Sequence, residues 1–314
     1  MPRHDASVVP HPQALEAIAV DTLPTIPAKQ LITRQKSGGW FGCEYNMNLY
    51  RGCTHGCIYC DSRSSCYQNP DFDTVYAKAD ALAILRRDLG RLRRVGVIAT
   101  GAMSDPYNPR EREAELSRKA LELIFAFECG VAIATKSDLV VRDADVLRDI
   151  ARQAPVLVKL TITASDDALA AKIEPHAPSS SARFEAVAAL SEAGIYTGVL
   201  MTPILPFIHD TEDNIVTIAR RAKAAGARFV YPGFGVTQRA GQREYFHQGL
   251  DRHFPGMAAR YCRAFGDDYW CRSPDYDHLR RVFARECTDL GLLWRMDDIV
   301  QSYKQWPHAQ QSLF

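Results

Sequence analysis

The sequence predicts an α/β fold, a partial (β/α)6 barrel of the TIM type with an extended N-terminal segment and a C-terminal helical extension. Two observations predict it. Short apolar runs alternate with amphipathic helical patterns through the middle of the chain, and this alternation is typical of parallel βα units. The 314 residues, 46% of them hydrophobic, can bury a sizeable core in one or two domains. Six such units favour a barrel over a sandwich.

The elements follow in order along the chain. We interpret the apolar runs at 45–50, 95–100, 131–135, 156–163, 197–202 and 228–232 as strands. The helical patterns lie at 77–93, 114–128, 142–152, 182–193 and 211–225. Gly130, Gly194 and Gly226 stand where a helix is expected to end before the next strand. In a barrel, the loops after the strands carry the chemistry.

The two ends of the chain have a different character. Residues 1–36 are rich in Pro and polar groups and predict an extended segment that wraps the barrel domain of residues 37–235 or is partly disordered. Residues 236–314 show aromatic-rich helical patterns at 245–265, 276–290 and 296–303. We interpret this tail as a helical extension that covers the barrel, and a small separate domain is the alternative.

Charge and hydropathy exclude several classes of protein. Lys and Arg total 38 against 37 Asp and Glu, a balance that predicts neither a polybasic nucleic-acid binder nor an acidic partner. We find no secretory h-region and no uncharged apolar stretch long enough for a membrane span, so we expect a cytoplasmic protein. Nine cysteines in a reducing compartment predict metal ligands or catalytic groups rather than disulfides.

The central motif is C-x3-C-x2-C, formed by Cys53, Cys57 and Cys60. Three thiolates within eight residues can wrap one metal centre, and the glycines at 52 and 56 let the backbone bend around it. Structural zinc normally takes four ligands, and no second C-x2-C pair is present. Three ligands on a four-iron cluster leave one iron open. A zinc site or a cluster that only transfers electrons is the alternative.

With Tyr59 before its third cysteine, this motif resembles the signature of the radical S-adenosylmethionine (SAM) superfamily. Within it the chain is similar to the spore photoproduct lyase-like group. The similarity covers roughly residues 38–235, and its matching segments lie at 48–53, 104–111, 135–137, 173–178, 193–194 and 202–204.

The resemblance implies a [4Fe-4S] cluster on Cys53, Cys57 and Cys60, with SAM on its open iron. It implies that Tyr59 contacts the adenine and that polar groups or backbone at other loop positions hold SAM; these positions are Ser104, Lys136, Thr163 and Thr202. One electron, from a reductant such as flavodoxin or ferredoxin, then cleaves SAM, and the 5′-deoxyadenosyl radical abstracts hydrogen from a substrate that the sequence does not identify.

Five charged residues near the predicted mouth leave alternatives open. Asp105 and Glu111 are candidates to bind ribose hydroxyls or substrate, or to hydrate the loop and cap the helix near 113. Glu174 and Arg183 are expected to pair and brace the mouth, or to form a plain surface salt bridge. Lys136 is expected to neutralise the methionine carboxylate, and a solvated surface lysine is the alternative.

Two departures from the lyase pattern predict a different substrate. The lyase donates a hydrogen atom from a cysteine two residues before the Ser-Asp, and Ala102 stands at that position here. The aromatic residue after the third cluster cysteine is replaced by Asp61, with Arg63 close behind. DNA-lesion repair of the lyase type is therefore disfavoured and kept as an alternative.

The remaining cysteines and aromatics give weaker indications. Cys66 is a candidate catalytic residue, as a hydrogen-atom donor or redox thiol, against the alternative of a packed thiol near the cluster. Cys129 and Cys287 are expected to be small buried hydrophobic residues, and the cysteine spacings do not favour an auxiliary cluster. Nucleic acid is a candidate partner because the tail interleaves aromatic and basic residues between 245 and 276, although core packing is the alternative.

Overall fold

The computed structural model describes residues 23–35 and 40–311. Its strands are β1 (Thr25–Ile26), β2 (Ile32–Arg34), β3 (Tyr45–Met47), β4 (Tyr50–Arg51), β5 (Tyr76–Lys78), β6 (Val97–Thr100), β7 (Gly130–Thr135), β8 (Val156–Thr161), β9 (Thr197–Ile204), β10 (Val230–Thr237) and β11 (Trp270–Arg272). Its helices are α1 (Ala81–Leu89), α2 (Glu111–Ala114), α3 (Leu116–Ala126), α4 (Ala144–Ala151), α5 (Asp167–Ile173), α6 (Ser180–Glu192), α7 (Glu212–Ala224), α8 (Gln242–His253), α9 (Met257–Phe265), α10 (Tyr276–Asp289) and α11 (Met296–Gln311).

The main sheet has eight strands in the order β2-β3-β6-β7-β8-β9-β10-β11. The strands from β3 to β10 in this order pair in parallel, whereas β2 and β11 pair antiparallel at the two edges. Among the described residues the two edge strands do not pair with each other, so the sheet stays open. The predicted partial (β/α)6 architecture is confirmed.

Side chains alternate along the parallel strands between an outer and an inner apolar layer. On β8, Val158 and Leu160 pack in the outer cluster with the helices. Leu157, the residue before Val158, packs on the other face in an inner cluster with Phe41 and Tyr303. The inner face is thus covered at its amino-terminal end by residues near 41 and by α11.

The loop with the cysteine motif follows β4 rather than β3, the first parallel strand of the main sheet. The short strand β4 separates it from β3 and pairs with β5 in a second sheet of order β1-β5-β4. The motif therefore does not directly follow the first barrel strand. The chain leaves β3 at 48–49, and β4 then positions Gly52 and Cys53.

Of the glycines expected to end helices, two do so. Gly194 and Gly226 have φ values of 79° and 78° after α6 and α7, in the left-handed region. The expectation that Gly130 ends a helix is wrong, because Glu128 takes the left-handed conformation after α3 and Gly130 begins β7. A Cβ at Gly130 would lie 2.5 Å from the carbonyl oxygen of Pro155, so this glycine permits close strand packing instead.

The terminal segments join the same sheets. Of the predicted segment 1–36, residues 25–34 form β1 and β2, whereas 1–22 and 36 lie outside the described residues. The tail pattern at 245–265 is two helices, α8 and α9, and β10 runs two residues beyond the expected boundary at 235. The domain boundaries themselves stay predictions. No helix in the described part of the chain is long and apolar enough to cross a membrane.

Candidate active site

A cavity of 370 Å³ opens where the carboxyl ends of the parallel strands meet. Its walls come from the loops that follow β4, β6 and β7 and from the ends of β8, β9 and β10. The cysteine loop and the loop from Gly101 to Asp105 both contribute to it. This is the end of a βα barrel at which catalytic groups from distant parts of the chain converge.

All three cysteines of the motif, Cys53, Cys57 and Cys60, line this cavity. Glycine is required in their loop by sterics as well as by backbone conformation. Gly52 has a φ of 82°, and a Cβ there would lie 2.0 Å from the carbonyl oxygen of Thr74. Gly56 has a φ of 69°, and its Cβ would lie 2.9 Å from the His176 ring. The predicted tight bend of the backbone is present.

The three thiols line one cavity, where they can bind a metal centre once they are deprotonated. Burial raises the pKa of Cys53 to about 12 and raises the pKa values of Cys57 and Cys60. Such thiols ionise when a metal binds them. No three His, Cys, Asp or Glu side chains in the described ranges 23–35 and 40–311 are grouped closely enough to hold a single metal ion.

Lys136 stands beside the cysteines within a buried charge network. Its ammonium lies 5.5 Å from the centre of the Tyr59 ring, and the Tyr59 hydroxyl donates to Glu174. Glu174 pairs with Arg183 at 2.5 Å, with both side chains 1% exposed. Burial raises the pKa of Glu174, but Arg183 and Lys136 together hold it below its ordinary value. The expected pairing of Glu174 and Arg183 is therefore a buried brace.

Asp105 joins the loops that follow β6 and β7. Its carboxylate accepts hydrogen bonds from Thr135 Oγ1 at 2.6 Å, from the Lys136 amide at 2.8 Å and from the Tyr107 amide at 2.9 Å. His55 Nδ1 lies 3.4 Å from the same carboxylate, and both residues line the cavity. These contacts engage both carboxylate oxygens of Asp105 in joining the two loops, and the expected roles of Asp105 stay predictions. The sequence analysis does not predict His55 as a site residue, although its position inside the C-x3-C motif indicates that it lies near the cysteines.

Glu111 lies away from the cavity, in a different buried cluster. It accepts from the Tyr50 hydroxyl, from Arg142 Nη2 at 2.9 Å and from the Ser117 amide at 2.9 Å, with 0% exposure. Because the Glu111 carboxylate accepts from a backbone amide in the first turn of α3, the structure agrees with the helix-capping interpretation.

The predicted SAM-binding positions separate into two groups. Tyr59, Ser104, Lys136 and Thr202 line the cavity, and the Ser104 hydroxyl donates to the carbonyl of Gly52 at 2.5 Å. Thr163 is buried and is not among the lining residues, because β8 ends at Thr161 and it is Thr161 that faces the cavity. The Thr163 carbonyl accepts instead from Asn214. The binding roles of these residues remain predictions.

Asp61 and Arg63 have separate partners. Asp61 accepts from Thr237 at 3.0 Å and lies 3.4 Å from Arg239. Arg63 donates to Asp73 at 2.9 Å and lies over the Tyr245 ring at 3.8 Å.

Cys66 is exposed and does not line the cavity. Its sulfur lies 3.2 Å from Ser64 Oγ and 3.4 Å from Arg239 Nη1, and these hydrogen bonds lower the pKa of the thiol. Its role as hydrogen-atom donor stays a prediction. Cys129 and Cys287 are buried in the outer apolar cluster, as expected.

Most aromatics of the tail serve as core. Phe246 and Tyr261 are buried and pack edge to face at 5.2 Å. Tyr269 and Trp270 are exposed by 52% and 43%, and Trp270 lines the cavity. Trp40 is 46% exposed and also lines it. Stacking on a ligand is thus limited to a few rings near the mouth.

Comparison with known proteins places these features in a family. The radical SAM superfamily model matches residues 47–226. A protein of Mycobacterium tuberculosis (strain H37Rv), described as uncharacterized, is 30% identical over 247 residues, covering 76% of this chain and 72% of that protein. A protein of Methanocaldococcus jannaschii, also described as uncharacterized, is 33% identical over 176 residues, covering 54% and 64%.

Solved structures share the fold at low sequence identity. A spore photoproduct lyase variant with bound AdoMet and dinucleoside spore photoproduct superposes with a TM-score of 0.64 at 14% identity, covering 86% of this chain and 81% of that one. The radical SAM methyltransferase TsrM of Kitasatospora setae, with cobalamin and a [4Fe-4S] cluster bound, gives a TM-score of 0.56 at 12% identity, covering 90% and 64%.

Proposed function

The chain belongs to the radical SAM superfamily, and we propose that it is an enzyme that cleaves SAM reductively to abstract hydrogen from a substrate bound in the cavity. One observation carries the proposal. The cavity at the carboxyl ends of the strands is lined both by Lys136 and by the three cysteines Cys53, Cys57 and Cys60. The superfamily uses a [4Fe-4S] cluster and SAM, which are the cofactors here. Together they supply a carbon-centred radical able to take hydrogen from an unreactive C–H bond.

The protein side chains bind and orient these groups. The three thiolates hold iron, and Lys136 provides a point charge for the methionine carboxylate. Glu174 and Arg183 fix the surroundings of Lys136, while Asp105 holds the Lys136 backbone at 2.8 Å. Ser104, Thr202 and the backbone near Tyr59 are the remaining predicted contacts for SAM.

The helical tail supports the loop and limits access of water. Gln242, at the start of α8, donates to the Tyr59 carbonyl at 2.9 Å. Gly249 on the same helix packs against Ile58, and a Cβ there would lie 2.7 Å from the Ile58 side chain. Close cover of this kind orients the reactants and keeps a radical from side reactions.

Anaerobic electron paramagnetic resonance tests the proposal. The reduced, reconstituted protein is expected to give a [4Fe-4S]⁺ signal that shifts when SAM is added. The Cys57→Ala variant should lose the signal, whereas Cys129→Ala, which removes a buried thiol outside the cavity, should keep it. A zinc-loaded protein, or a signal indifferent to SAM, would contradict the proposal.

Repair of DNA lesions is the second candidate, and its support is the shared fold of the lyase. Ala102 lines the cavity where that reaction needs a thiol, so we expect no repair. The measurement is release of 5′-deoxyadenosine with ultraviolet-irradiated DNA, compared with unirradiated DNA and with no DNA. Release that depends on irradiation would favour the repair reaction instead.

Two partners remain proposals. A one-electron reductant such as flavodoxin or ferredoxin must supply the electron. Nucleic acid is supported as a ligand only by the exposed Tyr269 and Trp270, with Arg239 Nη2 donating to the Tyr269 hydroxyl at 2.9 Å. Base stacking is worth about 1–3 kcal/mol per ring, so Trp270→Ala should weaken binding of single-stranded DNA about tenfold if nucleic acid is the ligand.

A further inference from the structure

A second cavity, which we call the side pocket, lies against the candidate active site. It has a volume of 280 Å³, and its walls come from residues within 48–52 and 62–72 together with Lys78 and Met103. Ser62, Phe72 and Met103 line both the side pocket and the cavity that holds the three cysteines. A molecule in the side pocket therefore lies against side chains that also form the wall of the candidate active site.

The side pocket is lined by two cations and by no acid. Arg51 on β4 and Lys78 on β5 both line it, and none of its lining residues in the described part of the chain is Asp or Glu. Arg51 stands opposite Tyr76 in the antiparallel pairing, so Lys78, two residues farther along β5, is its diagonal neighbour on the same face. The Cα atoms of such neighbours lie about 7–8 Å apart, which lets one anion contact both long side chains.

Neutral groups hold the guanidinium of Arg51 in place. Its Nε donates to Asn69 Oδ1 at 3.1 Å, and its Nη2 donates to the Gln68 carbonyl at 2.5 Å. Within the ranges 23–35 and 40–311, the side chains of Arg51 and Lys78 form no ion pair. Asn48 also lines the side pocket, and its side-chain oxygen is buried without a hydrogen-bond partner among the same residues. The side pocket thus presents fixed polar groups whose partners are missing.

Charge determines which ligand completes this arrangement. Burial and the neighbouring charge of Arg51 both lower the pKa of Lys78, because two like charges share a partly closed space. An anion between them removes this repulsion, and its charge-assisted hydrogen bonds are about twice as strong as those between neutral groups. A phosphate monoester carries a charge of about −1.5 to −2 at pH 7 and so matches both cations. A carboxylate or a phosphodiester carries one charge and matches only one of them.

We infer that the side pocket binds the phosphate group of a phosphomonoester, with Arg51 and Lys78 as its cationic partners. The inference rests on the proposed function for the statement that this molecule is the substrate, whose remaining part extends past Ser62, Phe72 and Met103 to the cavity of the cysteines. The two anions are then held separately, the substrate phosphate in the side pocket and the SAM carboxylate at Lys136.

Equilibrium binding to the full-length, cluster-loaded protein under anaerobic conditions tests the charge argument. The probe is phenyl phosphate at pH 7.5, where it is mostly a dianion because its second pKa is about 6. Phenyl sulfate has nearly the same shape and a single charge, so it is the matched comparison in isothermal titration calorimetry. We expect phenyl phosphate to bind at least fivefold more tightly than phenyl sulfate. Equal affinities, or no binding of phenyl phosphate, would overturn the inference.

Variants test which residues bind the phosphate. Arg51→Gln and Lys78→Met should each weaken the binding of phenyl phosphate at least tenfold. The control is Arg280→Gln, which removes an exposed arginine that lines a different pocket and should leave the affinity unchanged. Lys78 is far in sequence from the cysteine loop, so its variant keeps the test valid if Arg51→Gln disturbs that loop. Equal affinity in Lys78→Met and Arg280→Gln would refute the assignment.

Phosphorus magnetic resonance tests the position of the phosphate beside the cluster. A reduced [4Fe-4S]⁺ cluster is paramagnetic, so the phosphorus nucleus of bound phenyl phosphate should relax faster in the reduced protein than in the oxidised protein. Equal relaxation rates would place the phosphate elsewhere and overturn the inference. Electron paramagnetic resonance of the same samples reports the cluster and its response to SAM, so a failure of the proposed function is distinguished from a failure of phosphate binding.

Discussion

Removal of Arg183 should destabilise the protein far more than removal of a surface arginine. Its guanidinium donates to the carbonyls of Thr161 and Pro178, each at 2.8 Å, and pairs with Glu174 at 2.5 Å. Both members of the pair are 1% exposed. The Arg183→Met variant therefore leaves a carboxylate buried, with Lys136 as its remaining nearby cation.

The expected magnitude follows from this burial. Breaking a buried ion pair by removing one partner typically costs about 3–5 kcal/mol, because the other charge stays desolvated. Lys136 offsets part of that cost, so we expect about 3 kcal/mol for Arg183→Met. The matched control is Arg152→Met, which breaks a 2.7 Å pair whose side chains are 72% and 47% exposed. Exposed pairs contribute about 0–1 kcal/mol, so the control should be nearly neutral.

The assay is urea denaturation of the cluster-free protein at pH 7, because loss of metal on unfolding would otherwise couple to the transition. The double variant Arg183→Met/Glu174→Gln should recover at least about 1 kcal/mol relative to the sum of the single variants, since the buried carboxylate that Arg183→Met leaves without its partner is then neutral. Strict additivity, or a cost for Arg183→Met no larger than that of the control, would refute the assignment of a buried brace.

Three further predictions concern other parts of the site and fold. Gly101→Ala should lower the free energy of unfolding by at least about 2 kcal/mol, because its φ is 95° and a Cβ would lie 1.9 Å from the Ala134 carbonyl oxygen. Gly266→Ala, with φ of 52° and open space, should cost only about 1 kcal/mol in the same urea titration; equal costs would contradict the steric argument. Lys136→Met should raise the dissociation constant of SAM at least about tenfold in equilibrium dialysis while the cluster signal persists; unchanged affinity would exclude the carboxylate contact. Burial lowers the pKa of His209 to about 4, so between pH 6.5 and 4 the unfolded chain binds a proton that the folded chain does not. Stability should fall across that window by up to about 3 kcal/mol, and less steeply in His209→Asn, as followed by thermal unfolding; parallel curves would contradict it.

Local sequence patterns were sufficient for the order of elements. The strand 156–161 could be predicted because a mostly apolar run, interrupted at Lys159, lies between two helical patterns. The helix ends at Gly194 and Gly226 could be predicted because only glycine adopts their backbone conformation freely. The same rule gives the wrong expectation for Gly130. A glycine also serves where two backbones approach closely, and that need arises only from a distant segment, here Pro155.

The candidate site was predictable where its residues are adjacent in sequence. The three cysteines Cys53, Cys57 and Cys60 lie within one loop, so their spacing alone predicted that they share one metal centre. Site residues that lie on separate strands were harder to predict from the sequence. Thr163 was expected at the cavity, but β8 ends two residues earlier, and Thr161 faces the cavity in its place. The face that a side chain takes depends on where a strand ends, which pairing with its neighbours decides.

The sequence by itself determined the class of fold and the superfamily, because these follow from periodicity and from one short motif. It also predicted Cys53, Cys57 and Cys60 as the ligands of the cluster. Only the tertiary structure decided which charges meet. It joined Asp105 to the loop of Lys136, and it buried Glu174 against Arg183. Partners separated by tens of residues are chosen by strand order and register, and a single sequence does not encode that choice locally.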